Sequence, residues 1–365
     1  MQKKSPKQSL NTGATPLIFF SMGFALVLLI LIILLFKITP DHSLKPIKLA
    51  TGEWDPFSGS ELEDHGITTA IITRVFHDIG YEPEYYFMPW SMAEDTAADG
   101  ENDNSVIGTF PYSKSQKRKY RFYFSTAIQN IEYAMFYHVE NNPAAIKIRK
   151  TDDLSKHIVL NIDGYEYPEG ITAHISKNKN NMKDNIDAFL QLEKSKEPLI
   201  VVESAVVGEQ LLEQKIPHLS SSIKKAPLKV NTGIHLMLSK RNPNNLALIN
   251  AFNNKLEQLK SNSRAYALLQ ENVKNRIDMA RAVLLEPFDK SNLIRAYKTK
   301  NKEQVILLPK GSKALVKQWN DPFLRYHSNI EKAEEILVKV KLLNGPFPLK
   351  NNNVYVDSRA IRLSR

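Results

Sequence analysis

From residue 47 onward the apolar positions alternate between two periods. Residues 47–52 form a short apolar run that ends in Gly52, as a strand running into a turn does. Ile67, Ile71, Ile72, Val75, Phe76 and Ile79 recur at helical spacing, and Gly80 follows where a C-cap glycine stands. Strands are expected at 85–88, stopped by Pro89, at 106–110, and at the longer aromatic and β-branched stretch 131–139. After the turn-rich 140–143 come a strand at 158–162, a helix at 184–192, a strand at 199–202 and a helix at 205–212. A strand at 233–238 and helices at 246–259 and 265–273 complete the series. Strands alternating with helices imply an α/β sheet with helices on its faces, and ligands of such sheets sit beyond the carboxyl ends of strands. Those ends are the loops opening at Gly52, Phe110, Asp163 and Glu203.

The pattern changes near residue 301. Short β-type runs at 305–308, 314–316, 336–340 and 354–356 are punctuated by Pro309-Lys310-Gly311 and Gly345-Pro346, which reads as a small separate β domain. Residues 276–300 are expected to link to it as a helix. At the other end, residues 16–36 are apolar and uncharged, and about 20 such residues cross a ~30 Å hydrocarbon core. The run exceeds a secretory h-region, and no small-residue cleavage site follows it, so an uncleaved signal anchor is expected. Lys3, Lys4 and Lys7 precede it without an acidic residue, which assigns residues 1–15 to the cytoplasm and the bulk of the chain to the outside, the periplasmic face of a bacterial inner membrane.

Composition adds mainly exclusions. The 365 residues carry a net charge of +10, but the cations are scattered rather than massed in a block, so no nucleic-acid partner is inferred. The chain has 0 cysteines, which removes disulfides, thiolate metal sites and a cysteine nucleophile. His65 lies in an acidic loop, yet the histidines show no metal-ligand spacing. No nucleophile elbow, phosphate loop or dinucleotide fingerprint is present either. Neither an enzyme nor a cofactor or metal is expected.

Five motifs fall in register over about residues 45–275. They are Gly52-Glu53-Trp54-Asp55-Pro56-Phe57, Met88-Pro89-Trp90, the run from Tyr112 to Arg118 followed by Phe124-Ser125, Asp152-Asp153-Leu154, and Leu238-Ser239-Lys240-Arg241-Asn242-Pro243 with Phe252-Asn253. In this order they resemble the type II periplasmic solute-binding proteins that serve amino-acid ABC transporters. The departures are Ser91-Met92-Ala93 after Trp90, and Asp163-Gly164-Tyr165-Glu166 in the second-lobe loop. The C-terminal segment is similar to a bacterial Src-homology-3-like barrel, through 308–312 and the strand 354–359.

The resemblance implies a two-lobed fold, which is expected to follow the one transmembrane helix and to precede the small C-terminal β-barrel. The first lobe takes 44–140 and 231–275, the second 141–230, and the barrel 301–365. It implies a small polar, amino-acid-like solute, with a transporter or another envelope protein as partner. A ligand-free scaffold in an envelope complex is the alternative. By the resemblance, Arg118 holds the solute's carboxylate, for which its planar fork is suited, and Glu203 faces the ammonium. Trp54, Phe57, Tyr112 and Tyr165 are candidate aromatic walls, and Ser113 is a candidate hydroxyl donor.

Overall fold

The computed structural model describes residues 44–168, 170–175, 181–287, 292–318, 337–344 and 352–362. The expected cytoplasmic tail, 1–15, and membrane span, 16–36, lie outside the described residues. Among those described, no helix is long and apolar enough to cross a membrane.

The main architecture is mixed α/β. Strands β1 (Lys45–Thr51), β2 (Tyr81–Phe87) and β3 (Val106–Tyr112) pair in parallel, with β1 in the middle. They are joined by helices α1 (Ile67–His77) and α2 (Trp90–Ala98). A short helix α3 (Gln116–Arg121) leads into β4 (Phe122–Phe124) and the long β5 (Gln129–His138). Beyond it come β6 (Ile158–Val159), paired in parallel with β9 (Leu199–Ser204), and the small pair β7 (Asn161–Ile162) and β8 (Asn181–Met182). Helix α4 (Asn185–Lys194) precedes β9 and α5 (Ala205–Gln210) follows it.

Two long strands carry one sheet from the first half of this region, called lobe 1, into the second, called lobe 2. β10 (Ile223–Ser239) pairs antiparallel with β5 over Ile223 to Ile234, then with β3 and β4 through its carboxyl half. The sheet order is β2-β1-β3-β10-β5-β9-β6. Lobe 1 gathers around β2-β1-β3 and lobe 2 around β9 and β6, with β5 and β10 as paired crossing strands. Pro227 has no N–H to give a ladder, and it sits within the register shift between Lys225 and Lys229. Helices α6 (Asn245–Ser261) and α7 (Ser263–Ala280) return to lobe 1, where Phe252 meets Phe76 with ring centroids 5.0 Å apart.

The helical link expected over 276–300 is corrected. Helix α7 ends at Ala280, and β11 (Val283–Leu285) and β12 (Leu293–Tyr297) are already strands of the C-terminal sheet. The reason is their period of two: Val283, Leu285, Ile294 and Ala296 are buried, while Leu284, Leu293 and Arg295 point outward. The β domain therefore begins near residue 283 rather than 301. It adds β13 (Val305–Pro309), β14 (Ser312–Gln318), β15 (Leu337–Leu342), β16 (Asn353–Asp357) and β17 (Ile361–Arg362) in the order β13-β12-β16-β15-β14-β11-β17. Its core, with Leu308, Val316, Val340 and Val356, is separate from that of the lobes.

Candidate functional site

The loop after β1 is tied into a tight knot. The Trp54 amide donates to the Ser58 carbonyl at 2.8 Å, and the Ser58 hydroxyl donates to the Gly52 carbonyl at 2.8 Å. This fixes the Trp54 indole over the carboxyl edge of the sheet, packed on Phe57 with ring centroids 4.8 Å apart. Tyr112 ends β3 and Ser113 follows it. Arg118 lies in the first turn of α3, whose N-cap Ser115 accepts from the Arg118 amide at 3.3 Å. From lobe 2, Gly164, Tyr165 and Glu166 follow β7, and Glu203 lies in β9.

Arg118 is 1% exposed, so its charge must be met inside the protein. Nε donates to Glu94 at 2.9 Å, Nη1 to the Ser113 carbonyl at 3.2 Å, and Nη2 across to the Gly164 carbonyl of lobe 2 at 3.4 Å. The guanidinium lies 4.5 Å from the centre of the Tyr112 ring, close enough for a cation–π contact. These bonds use three of its five N–H donors, leaving one hydrogen on each terminal nitrogen.

Glu203 is fully buried, and four donors converge on it. Oε1 accepts from Trp54 Nε1 at 3.1 Å and the Ser204 amide at 2.6 Å. Oε2 accepts from the Tyr165 hydroxyl at 3.0 Å and Asn185 Nδ2 at 3.4 Å. Burial pushes its carboxyl up to about 7 against the opposing pull of these bonds. Burial, and then the Glu203 charge, hold the Tyr165 hydroxyl well above its ordinary range, so it stays a donor.

The lobes meet over a narrow cleft of about 30 Å³ lined by Trp54, Trp90, Tyr112, Arg118, Tyr165 and Glu166, with Pro111, Ser113, Tyr133 and Gly164 completing the wall. Apart from the crossing strands, three side-chain hydrogen bonds span the cleft among the described residues: Trp54 to Glu203, Arg118 to Gly164, and the Ser91 hydroxyl to Asp163 at 3.3 Å. Gly164 has φ +75°, and a Cβ there would lie 2.6 Å from Trp90 Cβ. Only glycine lets the lobe-2 turn descend onto Trp90. The sequence departures at Ser91 and Asp163-Gly164 are thus where the lobes touch.

Of the residues singled out in the sequence, Trp54, Tyr112, Ser113, Arg118 and Tyr165 line this one cleft. Glu203 lies behind its wall, and its oxygens are taken by protein donors. Phe57 backs Trp54 and is not among the lining residues. Sequence reasoning missed Glu94, Glu166, Trp90, Tyr133 and Asn185 as site residues. Trp90 stood within a quoted motif, but Glu94 carries no local signal for a partner 24 positions away. The His65 ring rests near Tyr85 and Phe87, and no cluster of three metal-ligating side chains occurs among the described residues.

No protein-family model matches the chain, and no curated protein does. Among solved structures, the chain is similar to AbpA, an amino-acid ABC transporter substrate-binding protein from Streptococcus pneumoniae bound to L-arginine. The two share 16% identity at a TM-score of 0.49, over 64% of this chain and 96% of that one. A histidine-bound ABC uptake substrate-binding protein from the same organism gives 12% identity and a TM-score of 0.49, over 64% of this chain and 93% of that one. The ligand-binding core of GluR0 from Nostoc punctiforme with L-glutamate gives 20% identity and a TM-score of 0.49, over 62% of this chain and 98% of that one.

Proposed function

We propose that this chain is a membrane-anchored, extracytoplasmic solute-binding protein whose lobes close on a small, amino-acid-like solute. One observation carries the reading: the buried Arg118 lines an aromatic-walled cleft between the lobes and keeps one N–H on each terminal nitrogen. A carboxylate accepts from such a pair bidentately. The opposite end of the solute falls to Glu166, a carboxylate on the lobe-2 wall with no hydrogen bond or ion pair among the described residues. Glu203, saturated by four donors, holds Trp54 and Tyr165 in position rather than clamping an ammonium. A solute that touches both walls stabilises the closed state because only that state makes both contacts.

The apolar run 16–36 supports the anchor, and Lys3, Lys4 and Lys7 before it support the outward orientation of the rest of the chain. The C-terminal β domain is read as a Src-homology-3-like barrel, and a transporter or another envelope protein is the proposed partner of the chain. A second reading is a ligand-free scaffold. It is favoured by the three bonds that already join the lobes, which give closure without a solute.

Thermal unfolding of the full chain in mild detergent, against the amino acids and small organic acids, separates the two. A ligand at 100 times its Kd adds about 2.7 kcal/mol. A rise in Tm that disappears in Arg118→Met supports solute binding. A well-folded protein that answers no compound supports the scaffold.

A further inference from the structure

A second concavity lies away from the cleft, on the seam between lobe 2 and the C-terminal sheet. It is an open groove of about 370 Å³ lined by Glu213, Ser220, Lys224, Lys317, Lys339 and Asn353. The lysines come from three strands: Lys224 from the start of β10, Lys317 from β14 and Lys339 from β15. The one lining carboxylate, Glu213, takes the Lys317 ammonium at 2.6 Å. Lys224 donates only to the Ser220 carbonyl at 3.4 Å, and Lys339 has no ion pair among the described residues. Two ammoniums therefore face the seam without an ion pair among the described residues.

The remaining polar lining can donate. The Ser220 hydroxyl is buried with no hydrogen-bond partner among the described residues, and Asn353 adds a side-chain amide. A buried hydroxyl without a partner loses free energy that an acceptor in the groove restores. Just beside the seam, burial and then the Lys274 ammonium hold Lys341 below the usual lysine range, while Asp278, 4.0 Å from Lys341 and 2.6 Å from Lys274, and Glu213 oppose this. Glu213 and Asp278 already pair with Lys317, Lys274 and Lys341, which leaves Lys224 and Lys339 as the cations an anion in the groove would meet.

We propose that this seam is a binding site for a phosphate-bearing anion that bridges lobe 2 and the β domain. The two unmatched ammoniums suit a dianion, with the Ser220 hydroxyl and Asn353 amide as further donors to its oxygens. The site does not depend on what the interlobe cleft binds.

The test is calorimetric titration of the full chain in a non-ionic detergent with inorganic pyrophosphate. Saturable binding is expected, weakened at least tenfold in Lys224→Glu/Lys339→Glu and less in the neutral Lys224→Gln/Lys339→Gln. The same charge reversal at Lys117 and Lys119, exposed on lobe 1, should leave the affinity unchanged. Equal weakening by both reversals would show a diffuse basic surface and overturn the site, as would no binding by the wild type. Dihexanoyl phosphatidylglycerol, added below its micelle concentration, identifies the source. Competition with pyrophosphate assigns the site to a lipid headgroup, and binding of pyrophosphate alone assigns it to a soluble phosphate compound.

Discussion

Trp54 and Glu203 lie 149 positions apart in the chain, and the indole N–H of the first donates to the buried carboxylate of the second at 3.1 Å. The bond runs from the loop after the first strand of lobe 1 to the last strand of lobe 2. Phenylalanine at 54 keeps the ring against Phe57 and deletes only the donor. Trp54→Phe is expected to cost about 1–3 kcal/mol at pH 8, where Glu203 is ionised. The loss should shrink at pH 5, where the folded protein holds Glu203 neutral. Chemical denaturation at the two pH values reads it, and an equal loss at both would detach the bond from the ionisation of Glu203.

Glu203 itself makes stability depend on pH. Its folded value is about 7 against an ordinary 4.5. Between these values the folded state keeps a proton that the unfolded state has released. Its contribution to stability is therefore full below about pH 4.5, falls as pH rises, and levels off above about 7. The whole change is on the order of 3 kcal/mol at most. Glu203→Gln should abolish this component, so the difference curve between wild type and variant slopes across that window. A flat difference curve would mean that Glu203 titrates normally.

His235 works in the opposite direction. Its Nδ1 faces the Ser125 carbonyl at 2.9 Å, and burial, then the Lys114 charge, lower it to about 4 from an ordinary 6.5. Between those values the unfolded state binds the extra proton, so stability from this group is present above about pH 6.5 and lost as pH falls toward 4. The two windows overlap with opposite signs, and the wild-type profile is expected to be flatter than either component. An NMR titration of the His235 ring should show a midpoint below 5; a midpoint near 6.5 would remove the argument.

Arg118 and Glu94 form a pair with side chains 2% and 11% exposed. Breaking a buried pair leaves an uncompensated charge, and Arg118→Met should cost about 3–5 kcal/mol. The double variant Arg118→Met/Glu94→Leu should recover more than half of that loss. A double-mutant cycle measures the coupling, and strict additivity would show that Arg121, at 3.7 Å, already neutralises Glu94.

How much of this was legible beforehand follows the range of the forces involved. Periodicity is local, and it marked the helix beginning at Ile67, the strand core at 199–202 and the paired helices after Asn245 without reference to anything distant. It failed at 276–300, where extending the helix pattern past Ala280 ignored the alternation of Val283, Leu284 and Leu285. The motifs held four of the singled-out residues that share one cleft, and the departing loop at Asp163-Gly164-Tyr165-Glu166 supplied a fifth, because strand ends and helix starts carry their own local signals.

The sequence by itself determined the alternation of strands and helices, the separate β segment near the C-terminus, and the chemistry on offer: a guanidinium, a carboxylate and several aromatic rings near strand ends. It could not assign partners, because a partner is chosen by what folding brings within about 3 Å of a group. Only the tertiary structure decided that Glu94 neutralises Arg118, that Glu203 is saturated by Trp54, Tyr165, Asn185 and Ser204, and that Gly164 is small enough to seat one lobe on Trp90 of the other. Desolvation, which pushes Glu203 up and His235 down, depends on burial on every side of a group, and neighbours in sequence supply only part of that enclosure.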